Sequence, residues 1–163
     1  MNTEKMKRKR DVRLNNVMFP VWFFFMYPTW LWLIILPINF AIDSLVLTVA
    51  AKVQNIEDKV KLWEKSILKI WIIGFVSDFL GALLLFVLML VFDVMHISLN
   101  IYLFPGTTIF STIGVALAGV LIYFLNKRFS FKDCGLSKQQ IHKICLALAI
   151  FTAPYAMMIP IYG

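Results

Sequence analysis

Two acidic residues, Asp43 and Asp78, lie inside long apolar runs of this 163-residue sequence. Asp43 precedes Lys52 by nine residues, and Asp78 follows Lys69 by nine. If both lysines mark one face of a membrane, a helical rise of about 1.5 Å per residue places each acid about 13–14 Å deep. Asn39 precedes Asp43 by four residues and shares its helix face. Because an unpaired buried carboxylate is costly, the pattern predicts a polar centre that is protonated, shares a proton or binds a cation.

On sequence alone, three interpretations of Asp43 and Asp78 remain open. Ionisable residues inside a membrane are by default candidates for a proton- or cation-linked translocation site. Each acid could instead meet a basic or polar group on another subunit. The third interpretation is structural: both acids lie near the interface, or are neutral and hydrogen-bonded to Asn39, Ser44, Ser77 or the backbone. The structural interpretation is slightly favoured for either acid alone. For the pair, the matched depth makes a translocation site about as strongly favoured as a structural role.

The composition indicates a membrane protein. Residues of the AVILMFWYC set make up 61% of the chain and charged residues 15%, and the mean hydropathy is +0.81. Soluble domains are about 45–50% apolar and about 25% charged, and a globule of this size cannot bury such an excess of apolar surface. The composition therefore excludes a soluble enzyme, a disordered chain and a disulfide-stapled secreted domain. We predict an all-α integral membrane protein.

The 16 Lys and Arg residues fall into three clusters, within 5–13, 52–69 and 127–143. Each cluster lies beside an apolar run, whereas a nucleic-acid-binding face is a basic patch on a folded soluble surface. We therefore expect no nucleic-acid partner despite the net charge of +7. Short loops rich in Lys and Arg stay in the cytoplasm. The clusters thus predict a multi-pass protein of the cell membrane, with a cytoplasmic N-terminus and an external C-terminus.

The apolar runs predict a single membrane domain, 14–163, behind a basic cytoplasmic tail, 1–13. The segment 14–52 is interrupted by prolines and is predicted as a helical hairpin that breaks at Pro28; the alternative is an interfacial helix followed by one span. The chain is then a small polytopic helical bundle of four full spans, or of three full spans plus the N-terminal hairpin. A full span needs about 20 apolar residues. Three later runs have this length: 70–92, 107–126 and 138–160.

Local signals refine the ends and bends of these spans. Ser137 and Gln140 have the S-x-x-Q spacing of a capping box, which predicts that the last span begins there. Pro154 is expected to bend the same span, and Pro37 to kink the longer arm of the hairpin. Transporters use such breaks to line binding sites, although most breaks are kinks that neighbouring helices accommodate.

The segment 53–69 is predicted to form a cytoplasmic amphipathic helix. Such a helix can lie in the headgroup layer, with Trp63 buried and Lys59, Lys61 and Lys65 over anionic lipid, so we expect an anionic bilayer as a partner. Equally, the segment could extend the next span and pack on the protein's own cytoplasmic face. Both interpretations rest on apolar residues spaced three and four apart: Val53, Ile56, Val60, Trp63, Ile67 and Ile70.

Small residues mark the predicted helix-packing faces. Gly74 and Gly81 flank Asp78, and Gly114 and Ala118 form a small-xxx-small pair in the third span. Such faces serve packing within the chain or contact with another subunit, and the need of short spans to bury one another favours packing within the chain. A homo-oligomer or a partner membrane subunit is expected, because one chain of this length has little room for alternating access.

The stretch 126–131, Asn-Lys-Arg-Phe-Ser-Phe, resembles the Asn-basic-x-aromatic-x-Phe motif of GtrA-like membrane proteins. These proteins are linked to the movement of lipid-linked sugars, so the resemblance adds lipid-linked substrates to the candidate ligands. The resemblance covers six residues, and one predicted span follows the stretch here, whereas two follow the motif in that family.

Together these features predict a small carrier or channel-like subunit with Asp43, Asp78 and Asn39 as its polar centre. The alternative is a non-catalytic scaffold or regulatory subunit that binds a larger complex through the Gly74 and Gly81 face and the amphipathic helix. A membrane-embedded enzyme acting on lipid is the least favoured, because the sequence contains no Walker loop and no GxSxG, HExxH or CxxC motif. We predict no enzymatic activity, no cofactor and no metal site.

Overall fold

The computed structural model describes residues 30, 32–96, 105–132 and 134–159, which form helices and no strand. Two short elements accompany the long helices: a π-helical turn at Asn126–Ser130 and a 3-10 turn at Tyr155–Met158. The first arm of the predicted hairpin, 14–27, lies outside these residues. Four long helices make up the rest: α1 (Trp32–Val53), α2 (Lys59–Val94), α3 (Gly106–Leu125) and α4 (Lys138–Phe151).

All four helices are long and apolar enough to cross a membrane when the turns that follow α3 and α4 are counted with them. This confirms the predicted all-helical architecture, and the segments 70–92 and 107–126 coincide closely with parts of α2 and α3. The outer surface of the bundle is apolar along its length, with large exposed side chains such as Leu33, Val87 and Phe124. Such a surface matches a hydrocarbon environment.

Of the two interpretations of the segment 53–69, the structure agrees with the second: no separate helix forms, and most of the segment extends the next span. α1 ends at Val53, a short connection follows, and α2 then runs without interruption from Lys59 to Val94. Asn55 in the connection has a φ of 52°, a left-handed conformation that a continuing helix cannot contain. Most of the predicted apolar face is buried: Ile56, Ile67 and Ile70 are buried and Trp63 is half-buried, whereas Val53 and Val60 are exposed.

Trp63 packs inside the protein instead of facing lipid. Its indole Nε1 donates to the Ser44 hydroxyl of α1 at 2.5 Å. About two turns further along α2, Trp71 Nε1 donates to the Leu36 carbonyl at 3.1 Å. The Phe40 ring lies between the two indoles, with centroid separations of 6.2 and 6.0 Å. These contacts join α1 and α2 as an antiparallel pair.

α2 and α3 approach each other through glycine. A Cβ atom added at Gly81 would lie 2.7 Å from the Gly114 carbonyl oxygen and 3.3 Å from the Ala118 Cβ. A Cβ added at Gly114 would lie 2.7 Å from the Leu85 side chain. Because such distances leave no room for a methyl group, the small residues set the spacing of the two backbones. The structure therefore places Gly81, Gly114 and Ala118 at a contact within the chain.

Gly81→Ala is expected to destabilise the protein by about 1–3 kcal/mol, the usual cost of forcing extra volume into a packed interface. The measurement is reversible unfolding in detergent micelles. Gly119→Ala is the matched control, because its added Cβ would meet its nearest neighbour, the Ala149 carbonyl oxygen, only at 3.4 Å. Equal stability of the two variants would show that α2 and α3 are not in close contact at Gly81.

The predicted capping box is confirmed at the start of α4. The Gln140 backbone N–H donates to the Ser137 hydroxyl at 3.2 Å, and the Ser137 backbone N–H donates to Gln140 Oε1 at 3.0 Å. Both bonds satisfy backbone groups that a helix end leaves unpaired. They fix where α4 begins, and hence how far along the bundle its other end reaches.

The stretch 126–131 consists of the π-helical turn that follows α3, Asn126–Ser130, and the next residue, Phe131. Asn126 Nδ2 donates to the Ile122 carbonyl at 2.8 Å, and the Ser130 hydroxyl donates to Asn126 Oδ1 at 2.6 Å. Both polar side chains are fully buried. Because each is hydrogen-bonded, their role in the structure is to shape the turn between α3 and α4.

Candidate functional site

A cavity of about 370 Å³ lies between α1, α2 and the end of α4. It contains all three residues of the predicted polar centre, Asn39, Asp43 and Asp78. Asn39 and Asp43 belong to α1 and Asp78 to α2, so they are far apart in the sequence. The antiparallel pairing of α1 and α2 brings them together. The other lining residues are Ile35, Ile38, Ile42, Gly74, Phe75, Phe151, Thr152, Ala153, Pro154, Tyr155 and Ala156.

Asp43 projects from α1 toward α2 and α4. The residue is only 4% exposed. A Cβ added at Gly74 would lie 3.5 Å from Asp43 Oδ2 and would meet nothing else within 4 Å. Gly74 therefore leaves space beside the carboxyl, and it lines the cavity instead of forming a tight contact between helices.

Asp78 is the least satisfied side chain of the site. It is 4% exposed, and its Oδ1 atom has no hydrogen-bond partner among the residues described. Asp43 lies close enough for the two charges to repel each other when both are ionised. Leaving a buried acceptor unpaired costs about 1–3 kcal/mol. The oxygen is thus in place to receive a hydrogen, a cation or a ligand.

α4 ends at the level of these carboxyls. The prediction was a bend at Pro154, but the helix stops at Phe151 and a 3-10 turn follows from Tyr155. Pro154 lacks the N–H that would donate to the Ile150 carbonyl. The Tyr155 hydroxyl donates to that carbonyl at 2.6 Å instead. This bond stabilises the helix end and leaves the segment after it free to line the cavity.

The Thr152 side chain, at this helix end, lies close to the Asp43 carboxyl. Its hydroxyl also lies 2.8 Å from the Leu148 carbonyl, to which it can donate. A hydroxyl has one hydrogen and two acceptor positions. When it donates to Leu148 it can accept from a protonated Asp43, and when it turns it can donate to an ionised Asp43. The Leu148 carbonyl keeps the Thr152 backbone N–H at 2.9 Å in either case.

Thr152, Phe75 and Tyr155 belong to the site and were not predicted from the sequence. The predicted break at Pro154 was a signal for the last turn of α4, but nothing in the sequence placed that turn opposite Asp43. The capping box fixes the register of α4 along the bundle, and it is this register that brings Thr152 to the level of the acids.

The electrostatics of the cavity are one-sided. Its lining, within the described ranges, contains Asp43 and Asp78 and no Lys or Arg. The same part of the chain contains no group of three or more His, Cys, Asp or Glu residues that could hold a metal ion. The predicted lipid-surface residues Lys59, Lys61 and Lys65 are exposed at the start of α2, far along the helix from the cavity. The two carboxyls thus have no basic neighbour in the lining.

No known protein family, no curated protein and no solved structure matches this chain. The cavity and its two carboxyls are therefore the features from which a function follows.

Proposed function

We propose that this protein is a small carrier or channel-like membrane protein whose centre, formed by Asp43, Asp78 and Asn39, takes up a proton or a small cation. The observation that supports this function is made at Asp78, a residue of the cavity lining that contains a second carboxyl. Its Oδ1 atom is buried without a hydrogen-bond partner among the described residues. A structural role would pair such an atom, because buried polar groups are otherwise hydrogen-bonded.

The arrangement favours exchange of a positive charge. Two carboxylates cannot both remain ionised at close range in a low-dielectric site without a counter-charge. A proton or a cation supplies that charge. The Thr152 hydroxyl lies close to Asp43, and a hydroxyl can accept from a protonated carboxyl or donate to an ionised one.

We also propose that the basic clusters lie on the cytoplasmic side, with the N-terminus cytoplasmic and the C-terminus external. One end of the bundle carries Lys52 of α1, Lys127 of the turn after α3 and Lys138 of α4. These residues meet there because short connections join α1 to α2 and α3 to α4 at that end. Anionic lipids are the partner expected for these exposed charges. Labelling of introduced cysteines from the two sides of the membrane tests this orientation.

A homo-oligomer or a second membrane subunit completes the proposed carrier. Four helices provide few surfaces that could move against one another around a fixed site, which alternating access requires.

The scaffold function is less favoured by the geometry. It depended on the Gly74 and Gly81 face and on a free amphipathic helix over 53–69. Gly81 contacts α3, Gly74 lines the cavity, and the first turns of α2 are partly buried against the rest of the chain through Leu62, Ser66 and Ile67. The glycine face is therefore not open to a larger complex, whereas the first turns of α2 still expose Val60 and Leu68.

Reconstitution into liposomes tests the proposed function. We expect the full-length protein, purified with any membrane subunit that accompanies it, to move protons or monovalent cations above the level of empty liposomes, as followed by an internal pH indicator and by cation-selective dyes. Asp43→Asn and Asp78→Asn are each expected to lower the flux by about tenfold or more, since an amide cannot exchange a positive charge.

Asp93→Asn is the matched control, because it makes the same chemical change on α2 at an exposed position outside the cavity. This variant is expected to retain the flux. Wild-type protein with no flux, or a double Asp43→Asn, Asp78→Asn variant that elutes as the wild type does and keeps full flux, would contradict the proposed function.

A further inference from the structure

We infer that the cavity takes an organic cation with apolar substituents, such as a substituted ammonium, in preference to a bare metal ion. This inference rests on the proposed function and narrows its ligand to one chemical class. It is carried by the size of the cavity, by the chemistry of its walls and by the side of the bundle on which it opens.

The size of the cavity exceeds what a bare ion needs. Its volume is about 370 Å³, whereas one water occupies about 30 Å³ in the liquid. An ion with one or two waters would therefore fill a small part of it. Cavities that hold small organic molecules begin at about 300 Å³. The volume thus fits a ligand of several carbon atoms better than an inorganic ion.

The walls of the cavity match a ligand that is charged at one point and apolar elsewhere. Oxygen-bearing side chains are confined to Asn39, Asp43, Asp78, Thr152 and Tyr155, and the Tyr155 hydroxyl already donates to Ile150. A hard metal ion prefers a shell of six or more oxygens. An ammonium needs one or two carboxylates and tolerates apolar walls around its substituents.

Aromatic rings line the same cavity as the two carboxyls. Phe75, Phe151 and Tyr155 line the cavity, and the Phe75 ring is held by an edge-to-face contact with Trp32 at a centroid separation of 4.9 Å. Ring faces attract organic cations and are the usual means of recognising quaternary ammonium groups. The rings therefore offer a favourable contact to an organic cation. Na⁺ or K⁺ would gain less from the rings, because their hydration water stands between the ion and the ring face.

In the part of the chain that the structure describes, the cavity is open at an apolar rim. Ile38 and Ile42 at its α1 rim are 51% and 41% exposed, so in the proposed arrangement the opening faces the hydrocarbon of the bilayer. Apolar substituents lower the cost for an organic cation of reaching the carboxyls from that side, whereas a metal ion would have to lose its hydration shell.

The test is calorimetric titration of the full-length protein in detergent with phenyltrimethylammonium, which carries a fixed positive charge and no exchangeable proton. Saturable binding is expected. The affinities for tetramethylammonium, which lacks the ring, and for Na⁺ are expected to be at least about tenfold lower than that for phenyltrimethylammonium. This corresponds to a difference of about 1.4 kcal/mol or more in binding free energy.

Variants link the binding to the cavity. Asp78→Asn is expected to weaken phenyltrimethylammonium binding at least about tenfold, while Asp93→Asn leaves it unchanged. Phe75→Leu keeps both carboxyls, and it is expected to weaken binding of the aromatic cation several-fold, while the protein elutes and unfolds as the wild type does. This second variant keeps the inference testable if Asp78→Asn does not fold.

Each other outcome is decisive. Flux that depends on Asp43 and Asp78, together with Na⁺ binding as tight as that of phenyltrimethylammonium or with no binding of the organic cation, would overturn the inference and leave the proposed function standing. Binding that Asp93→Asn weakens as much as Asp78→Asn would show adsorption to the surface and would also overturn it. Absence of both flux and binding would overturn the inference and the proposed function together.

Discussion

Gly74→Leu is expected to abolish flux in proteoliposomes, with a loss of about tenfold or more, while the protein folds and assembles as the wild type does. The position lies beside Asp43, and an added Cβ would meet only Asp43 Oδ2, at 3.5 Å. The first carbon of a new side chain is therefore accommodated, and the rest of a leucine extends into the cavity. The variant fills the site without removing either carboxyl.

Gly74→Ala provides the matched control, because its methyl group stays at ordinary contact distance and is expected to leave most of the flux. Size-exclusion elution and thermal unfolding of both variants check that the fold is kept. A Gly74→Leu protein that is folded and transports as fast as the wild type would show that the cavity is not on the route of the ion.

Asp78→Leu is expected to stabilise the protein by about 1–3 kcal/mol and to remove its flux. The carboxyl is buried, and its Oδ1 has no hydrogen-bond partner in the described part of the chain, so the folded state carries an uncompensated desolvation cost. A leucine removes that cost, and the neighbouring cavity has room for its additional carbon atoms. Sites that bind a ligand often keep such a cost because function requires it.

Unfolding in detergent measures the stability change, with Asp93→Leu as the control. That position is exposed, and its substitution is expected to change stability by no more than about 0.5 kcal/mol. Should Asp78→Leu prove less stable than the wild type while Asp93→Leu is unchanged, the carboxyl would have a stabilising partner, and the structural interpretation of Asp78 would be favoured.

The sequence was informative where one side chain or one local motif decides the structure. Counting residues from Lys52 and Lys69 placed Asp43 and Asp78 at similar depth, and the structure brings both into one cavity. The capping box at Ser137 needs only contacts within four residues, and it formed as predicted. Hydrophobic length was sufficient to identify four apolar helices.

Features that depend on contacts between distant residues could not be predicted. Trp63 has the spacing of a lipid-facing residue, but a hydroxyl on α1 takes its indole N–H. The start of α2 depends on the left-handed conformation of Asn55, which periodicity does not reveal. Whether Pro154 bends α4 or ends it depends on Tyr155, whose hydroxyl satisfies the carbonyl that the proline leaves free.

Labelling of single cysteines in intact cells tests most directly whether the helices cross the membrane with their basic ends in the cytoplasm. Met95→Cys and Lys132→Cys, each exposed and each made in a Cys134→Ala, Cys145→Ala background, lie beyond opposite ends of the helical bundle. A membrane-impermeant maleimide should modify Met95→Cys in intact cells and Lys132→Cys only after the membrane is permeabilised. Equal modification of both positions in intact cells would contradict the account, since the acids would then have no membrane to lie in.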